Sequence, residues 1–218
     1  MAEPQFYVSG RCKINRSSLN MEPTSENIIA ALKEQILATR QTLTEAGYNP
    51  APVREQVADL AQRYGSSVLD VGTGACACLA VALARHGFQV TAIDHASSAV
   101  RIAQERIEGN LENNLDIRYI DAVRMPFSDG SYRVVTAFDA LCHASEPDAV
   151  LKEMFRVGSH AIIITELNAT GRIITHHLDE GFEDELIELL NRHCQNCQLF
   201  EDAHHVTILC QKKMATAK

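Results

Sequence analysis

Two carboxylates and two glycines have the spacing of a nucleotide-binding turn. Residues 68–74 read Val-Leu-Asp-Val-Gly-Thr-Gly, an apolar run that ends at Asp70 and turns at Gly72 and Gly74. Glycine has no Cβ, so the backbone can adopt positive φ there and approach a ligand closely. Asp94 closes the next apolar run about 20 residues after Gly74, where a carboxylate in a βαβ unit can accept both hydroxyls of a ribose. The pattern predicts a ligand that contains a ribose.

Two classes of cofactor use this arrangement. Residues 72–77 read Gly-Thr-Gly-Ala-Cys-Ala and satisfy the dinucleotide form G-x-G-x-x-G/A, so a nicotinamide or flavin dinucleotide is a competitor. Asp70 argues against it, because a carboxylate at the strand tip would repel a pyrophosphate. The same carboxylate would attract the ammonium group of a cofactor that carries an amino acid. The sequence therefore favours S-adenosylmethionine.

A longer resemblance supports this choice. Residues 121–132 read Asp-Ala-Val-Arg-Met-Pro-Phe-Ser-Asp-Gly-Ser-Tyr and are followed by Val134-Val135 and Leu141-Cys142-His143. This stretch resembles the fourth-strand region of class I S-adenosylmethionine-dependent methyltransferases, more narrowly the small-molecule branch with the ubiquinone/menaquinone-biosynthesis-type enzymes. Residues 151–157 resemble the helix that follows, and the whole resemblance runs in order from about Val68 to Ile164. It implies a Rossmann-like fold, S-adenosylhomocysteine as product, and in-line methyl transfer to a small molecule.

The resemblance also implies a set of cofactor-binding residues, which we name the cofactor shell. Asp70 and the glycine turn would face the methionine moiety, Asp94 would hold the ribose diol, and Asp121 would accept the adenine amino group. An acid at a strand end is often only a helix cap or a solvated turn, so the ordered set carries the assignment. The shell consists of Asp70, Gly72, Thr73, Gly74, Asp94, His95, Asp121, Ala122 and Phe138.

The sequence defines the acceptor side less well. His143, at the end of the predicted fourth strand, is the first candidate for a base, since an imidazole titrates near neutrality. The favoured alternative is that His143 only orients a loop or lines the pocket. Cys142 and the pair His176-His177 are second-rank pocket candidates. Cys76 stands where many relatives have glycine, and we expect it to pack as a small hydrophobe rather than to narrow the pocket.

Composition limits the other function classes. The chain has 218 residues, 46% of them hydrophobic, which suits one α/β domain plus an extension. The net charge is −8 and the only short basic cluster is Lys212-Lys213, so we expect no nucleic-acid partner. Apolar runs such as 161–165 are too short to span a bilayer, and the first residues do not read as a signal peptide. We expect a cytoplasmic monomer or homodimer with a small-molecule substrate and no membrane partner.

The cysteines leave one alternative open. There are seven, an odd number, so reduced thiols are expected rather than a disulfide framework. Cys194, Cys197, His204 and His205 together offer four soft ligands for zinc or a metalloid. A second Cys-x-x-Cys pair is missing, and the histidines fall near the start of a strand while the cysteines end a helix. We therefore favour plain thiols and predict no metal.

Hydrophobic periodicity predicts the elements that position these residues. Seven strands are expected, with the last two as an antiparallel hairpin and helices on both faces of a mostly parallel sheet. That hairpin suits a methyltransferase better than a dinucleotide domain, where further parallel βα units would follow. An NAD(P)-dependent oxidoreductase and a non-catalytic S-adenosylmethionine-binding module remain the alternatives. The predicted strands are 68–71, 89–94, 116–120, 133–137, 161–166, 198–202 and 205–211.

We divide the chain into an N-terminal helical extension (1–50), an S-adenosylmethionine-binding methyltransferase domain (51–213) and a loose tail (214–218). A helix is expected from Thr24 or Ser25 to Gly47, with Ile28, Leu32, Ile36 and Leu43 at helical spacing. This apolar stripe needs a partner, so the extension should fold onto the sheet. The resemblance implies that it is a lid, with a permanently packed helix or a dimer contact as alternatives. A lid predicts that S-adenosylhomocysteine protects residues 5 to 25 from proteolysis.

Overall fold

The computed structural model describes residues 25–105, 107, 111, 113–175, 182–194 and 196–212. Residues 5–24 of the predicted lid, the pair His176-His177 and the predicted tail lie outside these ranges. The helices are α1 (Ser25–Glu45), α2 (Ala51–Gln62), α3 (Cys78–Arg85), α4 (Ser97–Gln104), α5 (Pro147–Val157), α6 (Ala169–Thr175) and α7 (Phe182–His193). The strands are β1 (Ser67–Val71), β2 (Gln89–Asp94), β3 (Leu115–Tyr119), β4 (Tyr132–Phe138), β5 (Gly158–Leu167), β6 (Cys197–Glu201) and β7 (His205–Gln211).

The strands form one seven-stranded sheet in the order β3-β2-β1-β4-β5-β7-β6. Strands β1 to β5 pair in parallel, while β7 runs antiparallel to both β5 and β6. A parallel strand covered on both faces must be apolar throughout, and the run Ile162–Ile164 in β5 is fully buried. The predicted seven strands and the antiparallel closing hairpin are confirmed.

Helices cover both faces of the sheet. On one face α2 and α3 pack against the sheet through residues such as Leu60 and Leu83, and on the other α5 and α7 do so through Met154 and Leu186. Each is almost completely shielded from solvent. Burying a side chain of this size stabilises the fold by roughly 1.5–3 kcal/mol, so the two layers hold the sheet rigidly between them.

Helix α1 has an apolar stripe that packs against other parts of the chain, as the sequence predicts. Ile29, Leu32 and Ile36 are buried in a small cluster with Ala75 of the glycine turn and Ile102 of α4. Cys76 packs against the same cluster, which agrees with its expected role as a small hydrophobe. The extension therefore touches the turn that would hold a cofactor, while the opening of a lid stays a prediction.

Two local elements differ from the expectations. Strand β4 ends at Phe138, and His143 follows it on a 3-10 turn, Leu141–His143, that the sequence does not predict. Helix α6, after the fifth strand, is not among the predicted elements. Its first turn is fixed by Asn168, whose side-chain oxygen accepts a hydrogen bond from the Gly171 amide at 2.9 Å. An asparagine that caps a helix in this way is a recognisable sequence signal.

The topology brings several chain segments to one edge of the sheet. The carboxyl ends of β1 to β5 share that edge, and the strand order reverses between β1 and β4, which is where open α/β sheets bind ligands. Because β7 is antiparallel, its first residue, His205, lies beside Leu167 at the carboxyl end of β5. Within the described ranges, no helix combines the length and apolar character needed to span a membrane.

Candidate functional site

The glycine turn is bound to the end of β2 by its own backbone. Gly72 and Gly74 have φ of 74° and 64°, a region that side chains rarely tolerate. The amides of Gly72 and Thr73 donate to the Ile93 carbonyl at 2.9 and 3.0 Å. A Cβ on Gly72 would lie 2.6 Å from the Ala140 Cβ, so this turn also packs closely on the loop after β4. The turn is thus held in one shape by amides that bond within the protein, and its two glycines present no side chain to an approaching ligand.

Asp94 organises the ribose end of the crevice. Its carboxylate is nearly buried and accepts hydrogen bonds from the amides of Gly74 at 2.9 Å and Ala96 at 2.8 Å. An ionised carboxylate has about four lone-pair sites, so two remain for hydroxyl donors. The Ile120 amide donates to the Asp94 carbonyl at 3.0 Å, which sets Asp121 next to this acid. The two acids to which the resemblance assigns the ribose and the adenine are therefore adjacent.

Asp70 is a buried acid at the tip of β1. The Thr136 hydroxyl donates to it at 2.9 Å. Burial raises the pKa of Asp70 to about 6, since the hydroxyls of Thr73 and Thr136 offset only part of the lost hydration. The charge of Asp94 raises this pKa further and that of Arg54 lowers it. A ligand ammonium beside Asp70 would favour the ionised form of this carboxyl group. The site therefore fits a cofactor that carries an amino acid.

A second polar cluster, the acceptor-side group, consists of Tyr48, Asp139, Glu166 and His205. The Tyr48 hydroxyl lies 2.9 Å from His205 Nε2 and donates to Asp139 Oδ2 at 3.4 Å. His205 is 1% exposed, and its Nε2 lies 3.5 Å from the same Asp139 oxygen. Burial, followed by the charge of Asp139, raises the pKa of Tyr48 far above its usual range, so its hydroxyl stays protonated.

Glu166 occupies the end of β5 beneath this cluster. Its Oε1 accepts hydrogen bonds from the amides of Leu141 at 2.8 Å and Ala140 at 3.2 Å, which fixes the start of the 3-10 turn. Burial, together with the charge of Asp139, raises the pKa of Glu166 to about 8, against the smaller lowering by the Cys142 thiol and the two amides. Glu166 is therefore mostly a neutral acid at neutral pH.

Asp139 has two unusual features. It is not glycine, yet its φ is 49°, a backbone strain that tends to persist at functional sites. Its Oδ1 is buried and has no hydrogen-bond partner among the residues that the structure describes. About 23% of the side chain is exposed, although Oδ1 itself is buried.

Phe138, a predicted member of the cofactor shell, contacts the acceptor-side group. Its ring centroid is 5.2 Å from that of His205, and the Arg54 guanidinium lies 5.3 Å above the ring. His95 is 75% exposed beside Asp94, and Asp121 is exposed, with its Oδ1 accepting the Val123 amide at 3.1 Å. The structure thus brings the glycine turn, Asp70, Asp94 and Asp121 to one crevice and directs Phe138 toward its acceptor end.

Comparison with known proteins agrees with this geometry. Residues 68–160 match the methyltransferase domain family. From β1 to the start of β5, the chain is therefore similar to class I S-adenosylmethionine-dependent methyltransferases. It is 34% identical over 142 residues to a ubiquinone biosynthesis O-methyltransferase of Albidiferax ferrireducens, covering 62% of this chain and 54% of that protein. It is 32% identical over 118 residues to a phosphatidylethanolamine N-methyltransferase of Cereibacter sphaeroides, covering 52% and 57%. The chain thus spans about half the length of these relatives.

Among solved structures, the magnesium protoporphyrin IX methyltransferase of Synechocystis, determined with bound S-adenosylmethionine, has the same fold. The TM-score is 0.58 at 16% identity, covering 74% of this chain and 79% of that protein. The methyltransferase fold and the S-adenosylmethionine cofactor that the sequence predicts are both supported. The dinucleotide alternative loses its main argument, because the G-x-G-x-x-A run lies inside the matched methyltransferase region.

The sequence does not predict several members of the acceptor-side group. Tyr48 lies between two helices, and its contacts depend on how these pack. Asp139, Glu166 and His205 do carry a signal, since each adjoins the end or start of a predicted strand at the binding edge. His143 is half-buried on the neighbouring 3-10 turn, and Cys142 beside it hydrogen-bonds to Glu166. Cys142 thus links the 3-10 turn to the acceptor-side group through Glu166.

The structure does not bring together the four side chains of the alternative metal site. His205 belongs to the acceptor-side group, at the binding edge of the sheet. The side chain that instead joins Cys194 and Cys197 is Cys210, from the far end of β7. A separate surface cavity of about 450 Å³ lies between the start of α5 and α7, and no cofactor-shell residue lines it. We therefore place the cofactor at the strand edge and not in that cavity.

Proposed function

We propose that this chain transfers the methyl group of S-adenosylmethionine to a small-molecule acceptor that approaches over the carboxyl ends of β4 and β5. The observation that carries the proposal is the pair of facing groups at one edge of the sheet. The cofactor shell lies on one side of the switch between β1 and β4, and the acceptor-side group lies on the other. Fold alone does not define a reaction, whereas two facing sites of this chemistry support a transfer.

The residues of the chain would act mainly by positioning. The bound cofactor supplies a methyl group on a sulfonium, which is already an activated donor. Asp94, Asp70 and the glycine turn would orient the cofactor, while α1 packed on Ala75 would help to exclude water. Alignment of two reactants in this way can account for several kcal/mol of rate acceleration. The chain needs no other activating group for an acceptor that is already nucleophilic.

For a hydroxyl or amine acceptor that must lose a proton, Asp139 is the best-supported base. Its Oδ1 has no partner within the described part of the chain, and its Oδ2 is held by Tyr48 and His205. His143 remains the candidate that the sequence suggests. The relatives methylate oxygen in one case and nitrogen in the other by their names, so both atoms stay within the proposal.

Calorimetry and a turnover screen test the proposal. The purified protein should bind S-adenosylhomocysteine and not NADH, and a homocysteine-release assay over small hydroxylated and amine metabolites should find an acceptor. Binding of NADH alone would contradict the proposal in favour of an oxidoreductase. Binding of S-adenosylhomocysteine without turnover of any acceptor would favour a non-catalytic module.

Once an acceptor is found, two variants separate the candidate bases. Asp139→Asn should lower kcat and remove the acid limb of its pH profile, because an amide cannot take up a proton. His143→Gln should leave that limb in place if His143 only lines the pocket. The opposite result would return the role to His143.

A further inference from the structure

Three thiols meet at the corner formed by α7, β6 and β7. Cys194 directly follows α7, Cys197 is the first residue of β6, and Cys210 lies near the end of β7. The three sulfur atoms all lie within 4.8 Å of one another. Cys197 and Cys210 are directly opposed across the antiparallel pair, with 3.0 Å between their sulfurs. Three separate elements therefore deliver one sulfur each to the same point.

We propose that Cys194, Cys197 and Cys210 bind a thiophilic divalent metal ion of the zinc and cadmium type. A zinc–thiolate bond is about 2.3 Å long, which sets ligand sulfurs roughly 3.8–4.0 Å apart in tetrahedral or trigonal arrangements. All three sulfurs lie within 4.8 Å of one another, and the Cys197–Cys210 pair must open from 3.0 Å by about 1 Å. A donor set made of sulfur selects soft ions over magnesium or calcium, which prefer oxygen.

The surroundings of the thiols affect their protonation when no ion is bound. Burial raises the pKa of both Cys197 and Cys210, and the neighbouring thiols raise that of Cys210 further. The thiols of Cys197 and Cys210 therefore keep their protons at neutral pH. One divalent ion would replace three thiol protons, which leave to solvent, and would form three metal–sulfur bonds with one net negative charge. Cys197 is exposed, so an ion has a route to the fully buried Cys210.

The position of the cluster indicates a structural role. Cys210 pairs with Ile162 in β5, and the Lys212 amide beyond it donates to the His160 carbonyl at 2.8 Å, near the amino end of β5. This is the edge of the sheet opposite the glycine turn. An ion bound here would fasten the last helix to the closing hairpin, far from the methyl-transfer site. The proposal is therefore independent of the function proposed above.

Metal titration of reduced, metal-free protein tests the site. Cadmium should bind with one equivalent per chain, with an ultraviolet thiolate-to-cadmium charge-transfer band, and zinc should compete for the same site. Either ion should raise the Tm, because it binds the folded state and not the unfolded chain in the same way. Absence of a stoichiometric site for both ions would overturn the proposal.

Single substitutions locate the ligands. Cys197→Ser should lose the charge-transfer band and the bound equivalent, and this exposed residue can be replaced without disturbing the core. Cys194→Ser should behave in the same way, whereas Cys78→Ser on α3 is the matched control and should keep both. Unchanged stoichiometry in Cys197→Ser would overturn the proposal.

Discussion

The two halves of the binding crevice are built in different ways. The cofactor half uses main-chain amides, two glycines and acids that lie close together in the sequence, between residues 70 and 121. The acceptor half uses side chains from residues 48, 139, 166 and 205, which only the fold brings together. One half is thus a local motif, and the other is a product of tertiary packing.

The two halves also differ in electrostatics. Around the glycine turn, Asp94 is satisfied by two amides, and the crevice offers lone pairs to donors on a ligand. At the acceptor end, Glu166 has its pKa raised to about 8, and Asp139 keeps a buried oxygen without a partner among the described residues. The first half is a ready binding surface. The second resembles the tuned acid and base pairs that enzymes keep in clefts.

Replacement of Gly74 is expected to have the largest effect on the cofactor half. A β-branched side chain at a φ of 64° is a genuine outlier, so Gly74→Val should weaken S-adenosylhomocysteine binding at least about a hundredfold. Gly87→Val is the matched control, because Gly87 has a φ of 86° and open space around an added Cβ. Calorimetry should show that only the first variant loses affinity. A folded Gly74→Val protein that binds normally would rule out the turn as the contact.

Asp94→Ala should have the next largest effect. It removes a carboxylate that would accept ribose hydroxyls and that now accepts the amides of Gly74 and Ala96. Hydrogen bonds to a charged group are worth roughly 1.5–3 kcal/mol each, so affinity for S-adenosylhomocysteine should fall about tenfold or more. Asp116→Ala is the control, since that exposed acid on β3 pairs only with Arg118 in the described contacts. Equal calorimetric affinities for the parent and Asp94→Ala would remove the ribose assignment.

The same division explains what the sequence can predict. Asp70, Gly72, Gly74 and Asp94 follow one βαβ unit, whose spacing is fixed by local geometry, so the cofactor half is predictable from the amino-acid sequence alone. His205 joins the other half only because β7 runs antiparallel and starts where β5 ends. The sequence predicts the hairpin, but the contacts at its end depend on register and helix packing, which hydrophobic periodicity does not encode.

The other features that the sequence does not predict also depend on contacts that hydrophobic periodicity does not encode. The periodic pattern indicates the seven strands, because each is a buried apolar run. It does not indicate helix α6, a short element whose start depends on one hydrogen bond that the Asn168 side chain accepts. Nor does it indicate the third thiol, since Cys210 is distant in sequence from Cys194 and Cys197. Local signals predict elements, whereas the meeting of distant side chains follows from topology.

The raised pKa of Glu166 should make the free energy of unfolding depend on pH. The pKa of Glu166 is raised from 4.5 to about 8 on folding, so the folded state holds a proton that the unfolded chain has already lost. The free energy of unfolding should then fall as pH rises between these values, by up to roughly 1.4 kcal/mol per pH unit. Glu166→Gln keeps an acceptor for the Ala140 and Leu141 amides and cannot ionise, so its denaturation midpoint should vary less with pH.

Asp70 offers the comparison for that experiment. Its pKa is raised to about 6, so its own contribution to the slope should end at a lower pH than that of Glu166. Urea unfolding at pH values about one unit apart, between pH 5 and 9, should therefore show the parent losing stability up to about pH 8 and Glu166→Gln only up to about pH 6. Identical pH profiles for the two proteins would mean that Glu166 is already ionised in the folded state.

The smallest expected effect comes from Tyr48→Phe. The change removes the hydroxyl that lies 2.9 Å from His205 Nε2 and leaves that buried nitrogen without this partner. Loss of one such hydrogen bond should lower the free energy of unfolding by about 1 kcal/mol. Tyr119→Phe is the matched control, because Tyr119 on β3 is 65% exposed and its loss should be nearly neutral. If the group also positions Asp139, Tyr48→Phe should leave S-adenosylhomocysteine affinity unchanged while lowering kcat for an identified acceptor. Equal stability and equal kcat in the two phenylalanine variants would show that the acceptor-side group is ordinary packing, and the contrast between the two halves would then rest on Asp139 and Glu166 alone.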